Sequence, residues 1–185
     1  MSIANACRSL VCTGAEQTAA NAPIARRLLL TVLITAGLGM AMGCQPAKMK
    51  AIPKVLFVCQ FGTAKSAIAR EIFRKRARER GLQVAAFSRG ITPGEHVSPQ
   101  LRARLAADGI RSDREPLRKL DFADARGADF VVAFNPLPAN LSVPRVRDWS
   151  GLPSMNDEYR KSRADLDRRI DALLDEIAAD PRFGG

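Results

Sequence analysis

The stretch that most limits what this chain can fold into is KVLFVCQFGTAKSAIARE, Lys54 to Glu71. Val55 to Val58 form a short unbroken apolar run, the pattern of a strand buried on both faces, and Lys65-Ser66 opens a segment with helical periodicity. Between them lies a short loop of mostly small residues, with a cysteine where the strand ends. A strand that is apolar throughout cannot stand with one face in water. It needs neighbours in a sheet covered on both sides.

The rest of the chain supplies those neighbours. A helix is expected over Lys65 to Arg80, then a second strand in VAAFS. Ser98-Pro99 makes a cap and first-turn pair for another helix, with Leu101 and Leu105 on one face and Gly109 at its end. DFVVAF reads as a third strand and PRVRDW as a short fourth. A last helix starting near Asn156 carries Leu166, Ile170, Leu173, Leu174 and Ile177 on one stripe and stops before Pro181. Strand and helix alternate, so the expected class is α/β: one three-layer domain with a parallel sheet of about four strands and helices on both faces. No internal repeat or low-complexity tract interrupts it.

The first fifty residues are of another kind. Arg26-Arg27 is followed by LLLTVLITAGLGMAMG, sixteen residues without a charge, then by Cys44 and the polar QPAKMK. Basic, apolar and small residues in that order make a secretory signal, and Ala-Met-Gly-Cys resembles the lipobox of bacterial lipoproteins, with Ala41 where a leucine is usual. The expected organisation is a signal peptide over 1–44 with Cys44 as the lipidated residue, a linker over 45–52 and a domain over 53–185. Such a chain would be exported and attached to a membrane through lipid, facing the periplasm or the cell exterior. A spanning anchor is the competing reading, although sixteen residues fall short of the roughly 20 that a spanning helix prefers. Arg26-Arg27 also admits a twin-arginine reading, and a start at Met40 or Met49 would give a cytoplasmic protein.

Composition adds a few limits. With 185 residues, 46% of them hydrophobic, the chain can bury a core, so disorder over its whole length is excluded. The formal net charge of +10 suits nucleic acid, an anionic membrane or small anions alike. Much of it lies in REIFRKRARER, where Arg70, Arg74, Lys75, Arg76, Arg78 and Arg80 surround Ile68, Ile72, Phe73 and Ala77 at helical spacing. A solvated helix face is the expected meaning, and no nucleic-acid partner is expected. Of the four cysteines, Cys7 and Cys12 would leave with the signal and Cys44 would carry lipid. Cys59 would then be the mature chain's only free thiol, so an internal disulfide is not its purpose. With one histidine, His96, and no clustered cysteine pair, neither a metal site nor a cofactor is expected.

In an open α/β sheet, ligands bind beyond the carboxyl ends of the strands, which is where Cys59 stands. The loop Gln60 to Lys65 can curl its backbone N–H groups inward, and Gly62 can take a left-handed conformation there. A loop of that kind feeding a helix N-terminus is an anion cradle, and with Lys65 beside it favours the thiolate, the nucleophilic form of cysteine.

Cys59-x5-Lys65-Ser66 after a buried strand resembles the phosphate loop of the low-molecular-weight protein tyrosine phosphatases and their arsenate reductase relatives, C-x5-R-S, often C-x-G-N-x-C-R-S. FSRGITPGEHVSPQLRARLAADGI is similar to the family's second strand and following helix, and ADFVVAF to its third strand. The resemblance runs from Lys54 to the C-terminus and implies a phosphotyrosine phosphatase I-like fold. It also implies a phosphate-containing substrate or oxyanion as the ligand. By position, Cys59 would attack phosphorus, Ser66 would hydrogen-bond the thiolate, and Lys65 would stand at the arginine position. Gln60, Phe61, Gly62, Thr63, Ala64 and Lys65 would hold the phosphate. Asp148, in VRDWSG, would be the acid; Asp157 is the runner-up, although Asn156-Asp157 also reads as helix capping.

Five positions depart from the family pattern. Lys65 replaces the arginine, Phe61 the glycine, Gly62 the asparagine, Ala64 the second cysteine and Trp149 the proline after the acid. An ammonium is a mobile point charge, whereas a guanidinium grips two oxygens at once, so Lys65 weakens the stabilisation that phosphoryl transfer needs. A cysteine-dependent hydrolase of phosphate monoesters working through a thiophosphate intermediate is the leading expectation, and a catalytically weak oxyanion-binding module the alternative. A thiol-relay arsenate reductase would need further cysteines, and none follows Cys59, so that route would require an external thiol to complete the cycle. Phe61 and Trp149 are candidates to flank an aromatic substrate, with packing as the equal alternative, and His96 is expected to be exposed.

Overall fold

A computed structural model describes residues 51–183 apart from Ser142 and Pro144. The expected signal segment and Cys44 lie outside the described residues.

Eight elements follow one another: β1 (Lys54–Cys59), α1 (Lys65–Glu79), β2 (Ala85–Gly90), α2 (Pro99–Ala107), α3 (Phe122–Arg126), β3 (Phe130–Ala133), β4 (Val146–Asp148) and α4 (Tyr159–Ala179). The strands form one parallel sheet in the order β2-β1-β3-β4. β1 pairs on both sides and therefore lies in the middle, as its unbroken apolar run requires.

Successive side chains of β1 point to opposite faces of the sheet. Val55, Phe57 and Cys59 join the larger core with Ile68, Ile72 and Phe73 of α1, Leu101 and Leu105 of α2, and Leu166, Ile170 and Leu174 of α4. Leu56 and Val58 face a smaller cluster with Val131 and Ala125, closed by Ile91, Leu120, Leu137, Leu141 and Val143. Both faces are covered, but unequally: three helices lie on one, and on the other only the single turn of α3, which the sequence pattern did not reveal, together with loops. Phe57 and Phe73, both 0% exposed and edge to face at 5.5 Å, are typical of the larger core. Each such ring contributes about 1.5–3 kcal/mol by its burial.

Two boundary expectations met different outcomes. Ser98 caps α2 as expected, its side chain accepting from the Leu101 N–H at 3.1 Å with Pro99 in the first turn. Asn156 caps nothing: α4 begins at Tyr159 after Glu158, and the Asn156 amide instead accepts from Ser98 N (3.0 Å) and donates to His96 O (2.9 Å).

The basic helix also differs from a solvated face. Arg70 is 1% exposed, its guanidinium held by Ser88, Glu71, Glu115 and the Ser112 carbonyl. Arg74 pairs with Glu115 and Glu71, Arg76 with Asp167 and Asp171, and Arg80 with Asp171 and Asp175. One face of α1 is thus joined to α4 by charge. Helical spacing places residues on a face but cannot say that another helix supplies carboxylates to it.

Candidate active site

The end of β1 sets the site. Cys59 is its last residue, 5% exposed, and the chain then turns through Gln60 to Ala64 into α1. The Sγ of Cys59 lies 3.1 Å from the Gly62 backbone nitrogen, which donates to it, and 3.1 Å from the Ser66 hydroxyl. Gly62 has φ of +80°, a left-handed conformation that turns its N–H inward to the sulfur. It also has no room for a side chain: a Cβ would meet the Leu117 side chain at 2.6 Å and the backbone of Gly90 at 2.8 Å.

The loop is braced from β2 and the residues after it. Ile91 N donates to Cys59 O (3.0 Å), Thr92 N to Gln60 O (2.8 Å) and Gly94 N to Phe61 O (3.1 Å), while the Thr63 hydroxyl donates to Gly94 O (3.0 Å). On the other side Gln60 N donates to the side-chain oxygen of Asn135, one residue past Phe134, at 2.9 Å. Every one of these partners is distant in sequence. The loop owes its shape to them more than to its own residues.

Cys59 forms part of the lining of a cleft of about 250 Å³, together with Gln60, Phe61, Ala64 and Lys65 of the loop, His96 and Asn135, and Ser154, Met155 and Asn156 of the segment between β4 and α4. The Lys65 ammonium does not extend freely into it. It donates to the Leu152 carbonyl at 2.5 Å, and burial holds its pKa below the usual lysine value, with the neighbouring Cys59 acting in the opposite direction and Arg169 reinforcing the fall. α1 has no acidic residue in its first turn and no side-chain cap, so an anion bound there would meet no carboxylate of that turn. Among the described residues no group of three or more histidine, cysteine or acidic side chains is placed to hold a metal ion.

The residues singled out in the sequence fall into three groups. Cys59, Gln60, Phe61, Ala64 and Lys65 line the cleft, and Ser66 supports Cys59 from 0% exposure. Gly62 and Thr63, in the same loop, do not line the cleft but a separate cavity of about 340 Å³ between α1 and α2, although the Gly62 N–H turns to the Cys59 sulfur. Asp148 is not brought to the cleft: its exposed carboxylate accepts from Ser150 N at 2.8 Å, and that hydrogen bond holds its pKa below the usual carboxyl value. Asp157 is exposed and lies away from the cleft as well. Trp149 is core, packed on Phe57 and Phe134, so of the two aromatic candidates only Phe61 reaches the cleft. His96 is exposed as expected, but its ring rests on that of Phe61, with centroids 4.5 Å apart.

Asn135 and the segment Ser154 to Asn156 were not anticipated. Asn135 had a signal, since it follows the third apolar run just as Cys59 follows the first. The segment 154–156 had none, because only the return of the chain from the sheet edge brings it over Cys59.

A nucleophilic side chain at the carboxyl end of a central parallel strand, with a loop amide turned to it and a helix starting behind it, defines the class: an α/β domain with an oxyanion-loop architecture. Residues 54–142 match the family model "Low molecular weight phosphotyrosine protein phosphatase". The match takes in the loop after Cys59 and the first three strands of the sheet. Solved structures of the same fold include YfkJ from Bacillus subtilis, at 21% identity and a TM-score of 0.58, covering 70% of this chain and 97% of that one. The arginine phosphatase YwlE, in a mutant carrying a phosphorylated active-site serine, is 18% identical with a TM-score of 0.59, covering 70% and 99%. An arsenate reductase in a phosphate-binding state is 21% identical with a TM-score of 0.56, covering 68% and 99%. No curated protein matches the chain in sequence.

Proposed function

We propose that this domain hydrolyses phosphate monoesters, protein phosphotyrosine among the candidates, with Cys59 as nucleophile. The observation that carries the proposal is the position of the Cys59 sulfur in the cleft lining, accepting from the Gly62 N–H and within hydrogen-bond distance of the Ser66 hydroxyl, which can donate to a thiolate. The thiolate is the attacking species. The thiolate displaces the ester oxygen from phosphorus to give a thiophosphate, which water then cleaves to phosphate. Lys65 and the loop amides offset the charge of the equatorial oxygens. The family model that residues 54–142 match and the phosphatases and arsenate reductase that share the fold support oxyanion chemistry here.

The Lys65 to Leu152 hydrogen bond favours a second reading. An ammonium already donating to a carbonyl grips a transition state less well than a free guanidinium, so an oxyanion-binding module with little turnover would look the same at this residue. Export and lipid attachment at Cys44 belong to the proposal too, supported by the basic, apolar and cysteine order of the leader. Mass spectrometry of Cys44 in the membrane fraction tests that part.

Hydrolysis of an aryl phosphate, compared with Cys59→Ser and with vanadate or arsenate added, tests the enzyme reading. Turnover that disappears in the serine variant supports it. No turnover, with phosphate still raising the unfolding temperature, supports the binding module instead.

A further inference from the structure

We propose that His96 gives the leaving group its proton, an inference that rests on the phosphatase reading above and assigns the acid of that reaction. In-line displacement sets the leaving oxygen opposite the attacking sulfur. The Cys59 sulfur is buried in the lining of the cleft, so a leaving oxygen opposite it points away from the core toward the open side. Three lining side chains can carry a proton: Cys59, Lys65 and His96. Cys59 is the nucleophile, and Lys65 donates to Leu152 O from a position in the loop where its charge serves the phosphoryl oxygens. The exposed one, at the mouth, is His96.

His96 is also held there. Its ring lies on Phe61 at 4.5 Å between centroids, with 33° between the planes. Its carbonyl accepts from Asn156 Nδ2 at 2.9 Å, and the same Asn156 side chain accepts from Ser98 N at 3.0 Å. Two residues earlier, Gly94 is tied to Phe61 and Thr63 of the phosphate loop. The segment 94–98 is therefore fastened to the nucleophile's loop on one side and to the residues before α4 on the other. Asp148 has no comparable place: its carboxylate lies outside the cleft and is engaged by the Ser150 N–H.

In the first step the Cys59 thiolate forms the S–P bond as the P–O bond to the leaving group breaks. The departing oxygen takes the proton of the His96 imidazolium and leaves as a neutral alcohol or phenol. In the second step the neutral imidazole removes a proton from water as its oxygen bonds to phosphorus and the S–P bond breaks. Phosphate, thiolate and imidazolium are thereby restored.

A leaving group that departs as a stable anion needs no proton, which supplies the test. The full chain, His96→Phe, His96→Asn and Asp148→Asn are compared on phenyl phosphate and on 2,4-dinitrophenyl phosphate. Both His96 variants should lower phenyl phosphate turnover by about 10²–10⁴-fold and leave the dinitrophenyl ester within a few-fold, and His96→Phe can keep the aromatic stack while doing so. Asp148→Asn should shift neither. Equal losses on both esters would make His96 a wall of the cleft and overturn the proposal, as would no loss on either, or a loss confined to phenyl phosphate in Asp148→Asn. If the unaltered chain cleaves not even the dinitrophenyl ester, the phosphatase reading itself fails and this assignment falls with it.

Discussion

The sulfur of Cys59 and the hydroxyl oxygen of Ser66 lie 3.1 Å apart, one on the last residue of β1 and the other in the first turn of α1. Ser66 is 0% exposed, and under the proposed mechanism its hydroxyl donates to the Cys59 thiolate. A hydrogen bond to a charged group contributes about 1.5–3 kcal/mol, or roughly 10- to 100-fold in rate when it acts on a reacting thiolate. Ser66→Ala should therefore slow aryl phosphate turnover by that factor, whereas Cys59→Ser abolishes it. Single-turnover kinetics with both variants separates the two effects, and an unchanged rate in Ser66→Ala would remove Ser66 from the chemistry.

Lys65 stands where the family pattern has arginine. Lys65→Arg should raise turnover by about tenfold or more, since a planar fork can hold two phosphoryl oxygens. Protection of the protein by phosphate against thermal unfolding should change little. That combination would place the unaltered protein close to a binding module; a Lys65→Arg variant slower than the parent would show that the Leu152 carbonyl and the cleft are built around an ammonium.

Gly62 is left-handed, and an added Cβ would press on the Gly90 backbone, which cannot move aside as the flexible Leu117 side chain can. Gly62→Ala should cost about 1–3 kcal/mol in stability and displace the N–H that meets Cys59. Denaturant unfolding gives the first quantity, and cysteine alkylation rates report the second.

Arg70 is fully buried, with its charge spread over Glu71, Glu115, Ser88 and the Ser112 carbonyl. Its removal opens a void in the core, leaves Ser88 and the Ser112 carbonyl without their donor and leaves Glu71 and Glu115 with Arg74 alone, so Arg70→Ala should destabilise by about 2–5 kcal/mol. The exposed Lys75, whose pair with Glu79 is 4.0 Å long, is the control, and Lys75→Ala should fall within about 0.5 kcal/mol. Equal unfolding midpoints for the two variants would contradict this account.

Burial, and then the hydrogen bond to Asp108, push the Tyr159 phenol up to about 12 from its ordinary value of 10.0. The folded protein therefore keeps a proton that the unfolded chain loses. This contribution to stability is fully present below pH 10.0 and is lost as pH rises toward about 12. Thermal unfolding followed across that window should fall more steeply in the parent than in Tyr159→Phe, and parallel curves would count against it.

Much of the architecture was legible because it follows from short-range pattern. The apolar run before Cys59 demanded a central strand, and Ser98-Pro99 marked a helix start through local capping chemistry. α3 escaped because five residues are too few for a helical period to register. The role of Asn156 is not legible locally, because an amide can serve a helix end or a passing loop equally well and only the approach of His96 and Ser98 decides which. The basic run has the pattern of a solvated face because its acidic partners in α4 lie some 95 residues away in sequence.

The sequence by itself determined the sheet class, the central place of β1 and the identity of the thiol at its end, since these depend on periodicity and on where a strand stops. Tertiary structure alone decided what surrounds that thiol. It brought His96 and Ser154 to Asn156 to the cleft beside Cys59, turned Lys65 to Leu152, and left Asp148 outside, because these placements depend on contacts between segments that are distant in the chain and carry no local signature.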